Sequence, residues 1–332
     1  MICFDLAPTP TQKMLALTTV AYGLVLSPVP RTSPHAAVRP CRVSSIRCGW
    51  GPDPIWESLA VETIGDAASG LKAITIVPPA GVAKEFVNPG QYVQIREPGA
   101  EKAGIFAIAS APGKDGAFEF LIKEQPASDW SPGTGWLTDS KVGTALEMSQ
   151  VMGPGFLKSD DALDGIDTVL LFAAGSGISP IRSVMESGKL KDVGSVKLFY
   201  GASTPEQMAY QDKVRAAEDA HRPQGTHMRA RPCTAMHGVQ GCTRTHLPTH
   251  SRISQFDEWK AAGVDVTAVI SKAEGTEWKG ATGYVQDVCQ SAGIDDPKST
   301  AILVCGMKGM FEGVKELATE AGMPEDRLLA NF

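Results

Sequence analysis

The chain has 332 residues, of which 43% are hydrophobic and 20% charged, with a formal net charge of -6. That length has room for two domains of ordinary size, and the composition is that of a water-soluble globular protein. The acidic balance excludes nucleic acid as the default partner, and seven cysteines without paired spacing exclude a disulfide framework and an iron–sulfur ligand run.

Residues 1–48 are rich in Ser, Thr, Pro and Ala, carry Arg31, Arg39, Arg42 and Arg47, and hold one acid, Asp5. This is the composition of an organelle transit peptide, and Arg42 to Cys48 resembles a plastid processing site; a mitochondrial address is the alternative. The apolar run Met14 to Val29 is broken by Thr18, Thr19, Gly23, Ser27 and Pro28, so no membrane span is expected.

Within residues 49–155, short strand-like runs alternate with turn residues: WESLAVETI, LKAITIV, QYVQIRE, IFAIASA, AFEFLIKE and ALEMSQVMG. Their spacing predicts a small antiparallel β-barrel. Within residues 156–332 the pattern changes. TVLLFAA, SVKLFYGA, VDVTAVIS and TAILVCG read as strands, whereas ISPIRSVMESG, GYVQDVCQSAG and KGMFEGVKELATEAG have helical period. This order predicts a doubly wound parallel sheet covered on both faces.

The first of those strands runs into Gly175-Ser176-Gly177-Ile178-Ser179-Pro180 and then a helix. A strand, a glycine turn and a helix N-terminus leave backbone N–H groups facing whatever lies over the turn, and the expected guest is a dinucleotide pyrophosphate. Proline in the first helical turn costs little, since its missing N–H would have had no partner there. A tight connection with no ligand is the plainer alternative.

Residues 214–255 break the pattern around them. They hold His221, His227, His237, His246 and His250, six arginines, no lysine and no aromatic residue besides histidine, so they cannot bury much apolar surface. Cys233, His237, Cys242, His246 and His250 invite a zinc reading, but their spacing matches no zinc module and a chance cluster is favoured. Deleting the stretch joins Tyr210–Lys213 to Phe256–Lys260 in one amphipathic pattern. Codons for Lys213-Val214-Arg215 and Gln255-Phe256 can form splice-donor and acceptor sequences, so a low-order insert from a retained intron is expected here.

A barrel followed by an α/β nucleotide domain, with GSGISP after the first strand and Cys305-Gly306-Met307 after a late one, resembles the ferredoxin–NADP⁺ reductase-like superfamily. FAIASAPG, MAYQDK, CGMKGM and the ending LLANF look most like its plant and algal "fruit protein" branch of FAD- and NAD(P)-binding oxidoreductases. The resemblance covers about Trp56 to Phe332. It implies that Gly175, Ser176, Gly177 and Pro180 hold the nucleotide pyrophosphate, that Ser203 meets the adenosine ribose, and that Tyr210 stacks on adenine. Cys305, Gly306 and Met307 would take the nicotinamide, the sulfur acting by shape and soft contact. Phe332 would cover the flavin ring. Gly133, Thr134 and Gly135 would form a second phosphate-binding turn, with Phe106 packing on the flavin and the backbone of Ile108, Ala109 and Ser110 at the isoalloxazine edge.

One departure stands out. Where the family has Arg-x-Tyr-Ser, this chain has Gly104, Ile105, Phe106 and Ala107, which supply neither the cation nor the hydroxyl that hold FAD. Barrel core is the plainer reading of Phe106 and Ile108, and a core position on a helix face that of Tyr210. The resemblance therefore implies a flavin-dependent oxidoreductase passing hydride from NAD(P)H to FAD and electrons on to an acceptor. With no cluster motif in the chain, an iron–sulfur acceptor would be a separate protein. The alternative is a binding or regulatory module that keeps the nucleotide fold with a degenerate flavin site. Ser203 to Gln207 lacks a cation for a 2′-phosphate and includes Glu206, so the sequence leaves NADH and NADPH both open.

Overall fold

In a computed structural model of the protein, the described residues are 53–114, 116–126, 133–159, 161–211 and 254–331. The expected leader at 1–48, the cysteine and histidine cluster weighed for zinc, nearly all of the 214–255 stretch and Phe332 lie outside them. Among the described residues, six strands build the N-terminal sheet: β1 (Trp56–Ala68), β2 (Leu71–Ile76), β3 (Tyr92–Arg96), β4 (Gly104–Ala107), β5 (Phe118–Lys123) and β6 (Ala145–Ser149). All pair antiparallel in the order β4-β3-β6-β1-β2-β5. Register shifts at Val61/Thr63 and Asp66/Ala68 bend the long β1, which pairs first with β6 and then with β2. The Ala109 N–H donates to Glu119 O at 2.7 Å, tying the chain after β4 to β5 and joining the two edges of the sheet. Val61, Ile74, Ile95, Phe118, Phe120 and Leu146 fill the interior. Two short helices, α1 (Ala80–Glu85) and α2 (Thr134–Thr138), lie between the strands in sequence.

The second sheet contains β7 (Thr168–Ala174), β8 (Ser195–Ala202), β9 (Val264–Ile270), β10 (Ala281–Thr282), β11 (Thr300–Cys305) and β12 (Leu328–Ala330). All pairs are parallel, in the order β10-β9-β8-β7-β11-β12. Alternation along β7 divides its side chains between the two faces. Val169, Leu171 and Ala173 join a core with α3 (Ile178–Glu186) and α4 (Gln255–Ala261), through Ile181, Val184 and Trp259. Leu170 and Phe172 join the opposite core with α5 (Val285–Ala292) and α6 (Lys308–Glu320), through Val285, Cys289, Met310 and Val314. The expected doubly wound sheet is thus present, flanked on both faces. No helix among the described residues is long and apolar enough to cross a membrane.

The chain on either side of 212–253 is anchored by its neighbours. Gln211 Nε2 donates to the carbonyls of Pro205 (2.7 Å) and Met208 (3.2 Å), and the rings of Tyr210 and Trp259 meet edge to face with centroids 5.7 Å apart. Ser254 caps α4, accepting from Asp257 N–H, while the Asp257 carboxylate accepts from Ser254 N–H. The expected insert boundary at Gln255 therefore runs two residues into a capping box. Deleting Val214 to Ile253 and keeping Ser254 is expected to leave the melting temperature nearly unchanged. Deleting through Gln255 as well should cost about 1 kcal/mol, the usual worth of a lost cap. Thermal unfolding of the two deletions checks both values; a collapse of the shorter deletion would give the segment a structural role.

Candidate functional site

The strand order reverses at β7: β8 and β9 extend to one side and β11 and β12 to the other. In an open parallel sheet the crevice at such a reversal, at the carboxyl ends of the strands, is where ligands bind. The glycine turn lies there. A cleft of about 1040 Å³ is lined by Ala174 and Gly175 after β7, Ala202 and Ser203 after β8, and Cys305 and Gly306 after β11. Its other wall is the barrel, with Ile105, Phe106 and Ala107 of β4 and Leu121, Ile122 and Lys123 of β5. This size and mixture of apolar surface with backbone polar groups suits a cofactor.

Two glycines of the turn have different physical reasons to be glycine. Gly175 has φ +55° with open space around the position of a Cβ, so its requirement is conformational. Gly177 has an ordinary φ, but a Cβ there would collide with the carbonyl oxygen of Cys305, sit 2.8 Å from that carbonyl carbon and 3.0 Å from Gly306 Cα. The turn and the end of β11 are therefore packed backbone to backbone. A Cβ on Gly306 would likewise come within 2.6 Å of the Met310 methyl and 3.2 Å of Ala174 Cβ. Ser176 and Pro180 line the cleft with the glycines, and Met307, 68% exposed, stands at its mouth. Burial pushes the Cys305 thiol up to about 12, so at neutral pH the group is a neutral, soft wall element rather than a thiolate nucleophile. Its Sγ lies 3.8 Å from Asn331 O.

Four of the expected contacts lie elsewhere. Ile108 and Ala109 are fully buried, and their N–H groups are already used by Gln91 O (3.1 Å) and Glu119 O (2.7 Å). Neither residue lines the cleft, so they hold the barrel together rather than a flavin edge. Ser110 is buried too; its hydroxyl bonds Ala117 O and Glu119 N, and its carbonyl accepts from Ser183 Oγ at 2.8 Å. Tyr210, at φ 67°, does not line the cleft. Its ring centroid lies 5.1 Å from the Arg182 guanidinium carbon, and the ring meets Trp259 edge to face.

On the barrel wall, Gly104 and Phe106 depend on each other. A Cβ on Gly104 would meet two ring carbons of Phe106 at 2.7 Å, so the phenyl ring folds into the space where an arginine stem would begin. Gly133 abuts the same place, a Cβ there lying 3.1 Å from Ile95 O and 3.3 Å from Gly104 N, while Thr134 lines the cleft and Gly135 sits within α2. The apolar wall fits a flavin ring. For its phosphates this wall offers backbone groups and, among the described residues, Lys123 as the lining cation.

Sequence reasoning missed the cluster that seats α3 on the barrel. Ser179 Oγ donates to Leu121 O (3.4 Å), Ser183 Oγ to Ser110 O, and Arg182 Nη1 to Glu119 Oε2 (2.6 Å). Arg182 Nε also pairs with Glu186 Oε1 at 2.8 Å. The available signal was a polar stripe at 179, 182, 183 and 186, spaced as one face of a helix that should have been apolar. It also missed Tyr284 and Gln286 in the cleft wall. Gln286 Oε1 is the one buried side-chain polar atom without a hydrogen-bond partner among the described residues.

The comparisons agree with this architecture. The oxidoreductase NAD-binding domain family matches residues 171–241 and 227–316, two stretches that overlap inside the 214–255 segment. A fruit protein of Actinidia deliciosa is 30% identical over 255 residues, 74% of this chain and 66% of that protein. A ferredoxin–NAD(P)⁺ reductase of Metapseudomonas resinovorans is 22% identical over 72% of this chain and 58% of its own length. The chain thus spans less than two thirds of these curated relatives. Among solved structures, the ferredoxin reductase in carbazole 1,9a-dioxygenase superposes with a TM-score of 0.59 at 18% identity, covering 84% of this chain and 70% of that one. A ferredoxin NADP⁺ reductase from Neisseria gonorrhoeae with bound FAD and NADP gives 0.59 at 13% identity, covering 83% and 99%. With its glycine turn packed on Cys305-Gly306 at the strand reversal and a fruit protein among its relatives, the chain belongs to the ferredoxin–NADP⁺ reductase-like superfamily of oxidoreductases.

Proposed function

We propose that this protein is an NAD(P)H-dependent flavin oxidoreductase that passes electrons to a separate acceptor protein. The observation that carries the reading is the single cleft in which the Gly175–Gly177 turn and Cys305-Gly306 face the apolar wall of β4 and β5. Backbone N–H groups at the start of α3 would meet the coenzyme pyrophosphate. Cys305, Gly306 and Met307 would shape the slot for the nicotinamide, and Phe106 the surface for the flavin ring. When bound, the flavin supplies the hydride acceptor and the one-electron chemistry; the chain supplies alignment and exclusion of water. The relative from Metapseudomonas resinovorans is by name a ferredoxin–NAD(P)⁺ reductase, which supports a protein acceptor. The Arg-, Ser- and Pro-rich leader supports a plastid address.

Gly104 beside Phe106 favours a second reading, a nucleotide-binding module without flavin turnover. Purified full-length protein incubated with FAD and desalted separates the two. Retained flavin absorbance that bleaches on anaerobic addition of NADPH or NADH is the expected result; loss of all flavin on desalting would favour the module. In either case the pair Gly104→Arg with Phe106→Tyr should tighten FAD binding by roughly 10–100-fold, the effect of a charge-assisted bond to phosphate of ~1.5–3 kcal/mol. Gly104→Arg alone should gain less, because it restores the cation without the hydroxyl; in both variants the ring at position 106 must turn aside to admit the arginine stem.

A further inference from the structure

Three sulfur atoms stand round the end of β11: the Cys305 thiol, the Met307 thioether and, in the first turn of α6, the Met310 thioether. All three residues line the cleft. They differ in what a small oxidant can do to them. Cys305 keeps its proton, because burial pushes the thiol up to about 12, and the thiolate, not the thiol, is the form that peroxide attacks. Met310 is buried, its methyl carbon 2.6 Å from the position of a Cβ on Gly306, so the end of β11 shields its sulfur. Met307 has neither protection. It is 68% exposed, and a polarizable thioether reacts through its lone pair with no ionisation required.

The contrast extends beyond the cleft. Met148, Met152, Met208 and Met323 are buried and Met185 is partly buried, so Met307 is the one strongly exposed methionine among the described residues. Its backbone is held in place. Met307 is the N-cap of α6, its carbonyl accepts from Phe311 N–H at 3.1 Å, and the preceding Gly306 packs against Ala174 and Met310. A change to this side chain therefore alters polarity and bulk at a fixed point of the cleft mouth.

Resting on the reading that Cys305, Gly306 and Met307 shape the nicotinamide slot, we propose that Met307 is a reversible oxidation site, converted by hydrogen peroxide to its sulfoxide, and that the sulfoxide weakens binding of the nicotinamide end of the coenzyme. The O–O bond of peroxide breaks, one oxygen bonds to Sδ and the other leaves as water, so the sulfur gives up the two electrons that peroxide takes. A polar S–O group then stands where a soft apolar contact stood. Methionine sulfoxide reductase returns the thioether, which makes the change a switch rather than a lesion.

The test treats the full-length protein with hydrogen peroxide, maps oxygen uptake by peptide mass spectrometry, and titrates coenzyme by calorimetry before and after. The probes are NADPH or NADH, whichever binds the untreated protein more tightly, and the same molecule without its nicotinamide, 2′-phospho-ADP-ribose or ADP-ribose. Met307 is expected to be oxidised before Met310. The oxidised protein should bind the coenzyme about three- to tenfold more weakly, the worth of a sulfur–ring contact, and the nicotinamide-free ligand as before. Methionine sulfoxide reductase should restore the starting affinity. In Met307→Leu, compared with its own untreated sample, peroxide should change nothing, which separates Met307 from methionines outside the described residues. Oxidation of Met310 as fast as Met307, no weakening once Met307 is oxidised, equal weakening of both ligands, or a loss that persists in Met307→Leu would overturn the proposal. If the untreated protein binds no coenzyme, the nucleotide-binding reading itself falls, and this proposal with it.

Discussion

Replacing Arg182 by methionine is expected to lower the unfolding free energy by roughly 3–5 kcal/mol, the usual effect of removing one partner from a buried ion pair. The guanidinium is 9% exposed and bridges Glu119 on β5 to Glu186, itself 14% exposed. Methionine fills much of the volume and none of the charge, leaving Glu186 with Lys114 (3.3 Å) as its ion-pair partner. Function should suffer beyond stability. Arg182 lies on the helix whose first turn would form the proposed coenzyme cradle, and its bond to Glu119 fixes that helix against the barrel. Turnover with NAD(P)H should therefore fall more than nucleotide affinity, because the cradle survives while its distance to the barrel wall becomes variable. Urea denaturation and steady-state kinetics on the same variant read the two effects. An unfolding free energy within about 1 kcal/mol of the parent would show that the cluster is screened and does not clamp the fold.

The same cluster sets a pH dependence. Burial alone would push the Glu186 carboxyl up, but Arg182 and then Lys114 outweigh it and hold the carboxyl below its ordinary value of 4.5. A group whose folded pKa is depressed contributes stability that is complete above the unfolded pKa and is lost as pH falls through the folded one. The parent should therefore lose this contribution below about pH 4.5. In Arg182→Met the main opposing charge is gone, burial dominates, and the carboxyl shifts upward, so the variant loses stability as pH rises past the same point. The gap between the two proteins should be smallest in acid and widen toward neutrality.

Much of the architecture was legible because strand period and turn chemistry are local. The barrel runs and the β7, β8, β9 and β11 strands each carry their own alternation or apolar continuity, and the glycine turn announces itself between a strand and a helix. Less local features were not legible. β10 has two residues and β12 three, too short for any period, and both form by pairing with longer neighbours. Sequence cannot show that Gln91 and Glu119 already use the N–H groups of Ile108 and Ala109. The place of Tyr210 in MAYQDK points to adenine, yet its hydroxyl bonds Arg182, which is 28 residues away. Tyr284 and Gln286 are invisible for the converse reason: they enter the cleft wall only through the parallel pairing of β8, β9 and β10.

Gly177→Ala is the smallest change expected to abolish coenzyme binding. The obstruction is the protein itself: the new methyl would collide with the Cys305 carbonyl, with Cys305 C at 2.8 Å and Gly306 Cα at 3.0 Å. These are backbone atoms of β11, which is hydrogen-bonded on one side to β7 and on the other to β12, so they cannot rotate away as a side chain could. The turn must lift off the strand instead, carrying the N-terminus of α3 and its N–H groups out of line with the pyrophosphate and separating the cradle from Cys305. Overpacking of this kind costs roughly 1–3 kcal/mol, which a folded protein can tolerate, while displaced donors lose most of the anion site. Gly175→Ala makes the contrast. There the methyl meets no atom within 4 Å but must adopt φ +55°, a strain of about 1–2 kcal/mol that leaves the turn's path intact. Titration of NADPH should therefore detect no binding to Gly177→Ala and weakened, measurable binding to Gly175→Ala, with both variants folded by circular dichroism. The reverse order of affinities would mean that the close approach of the turn to Cys305-Gly306 does not control the site.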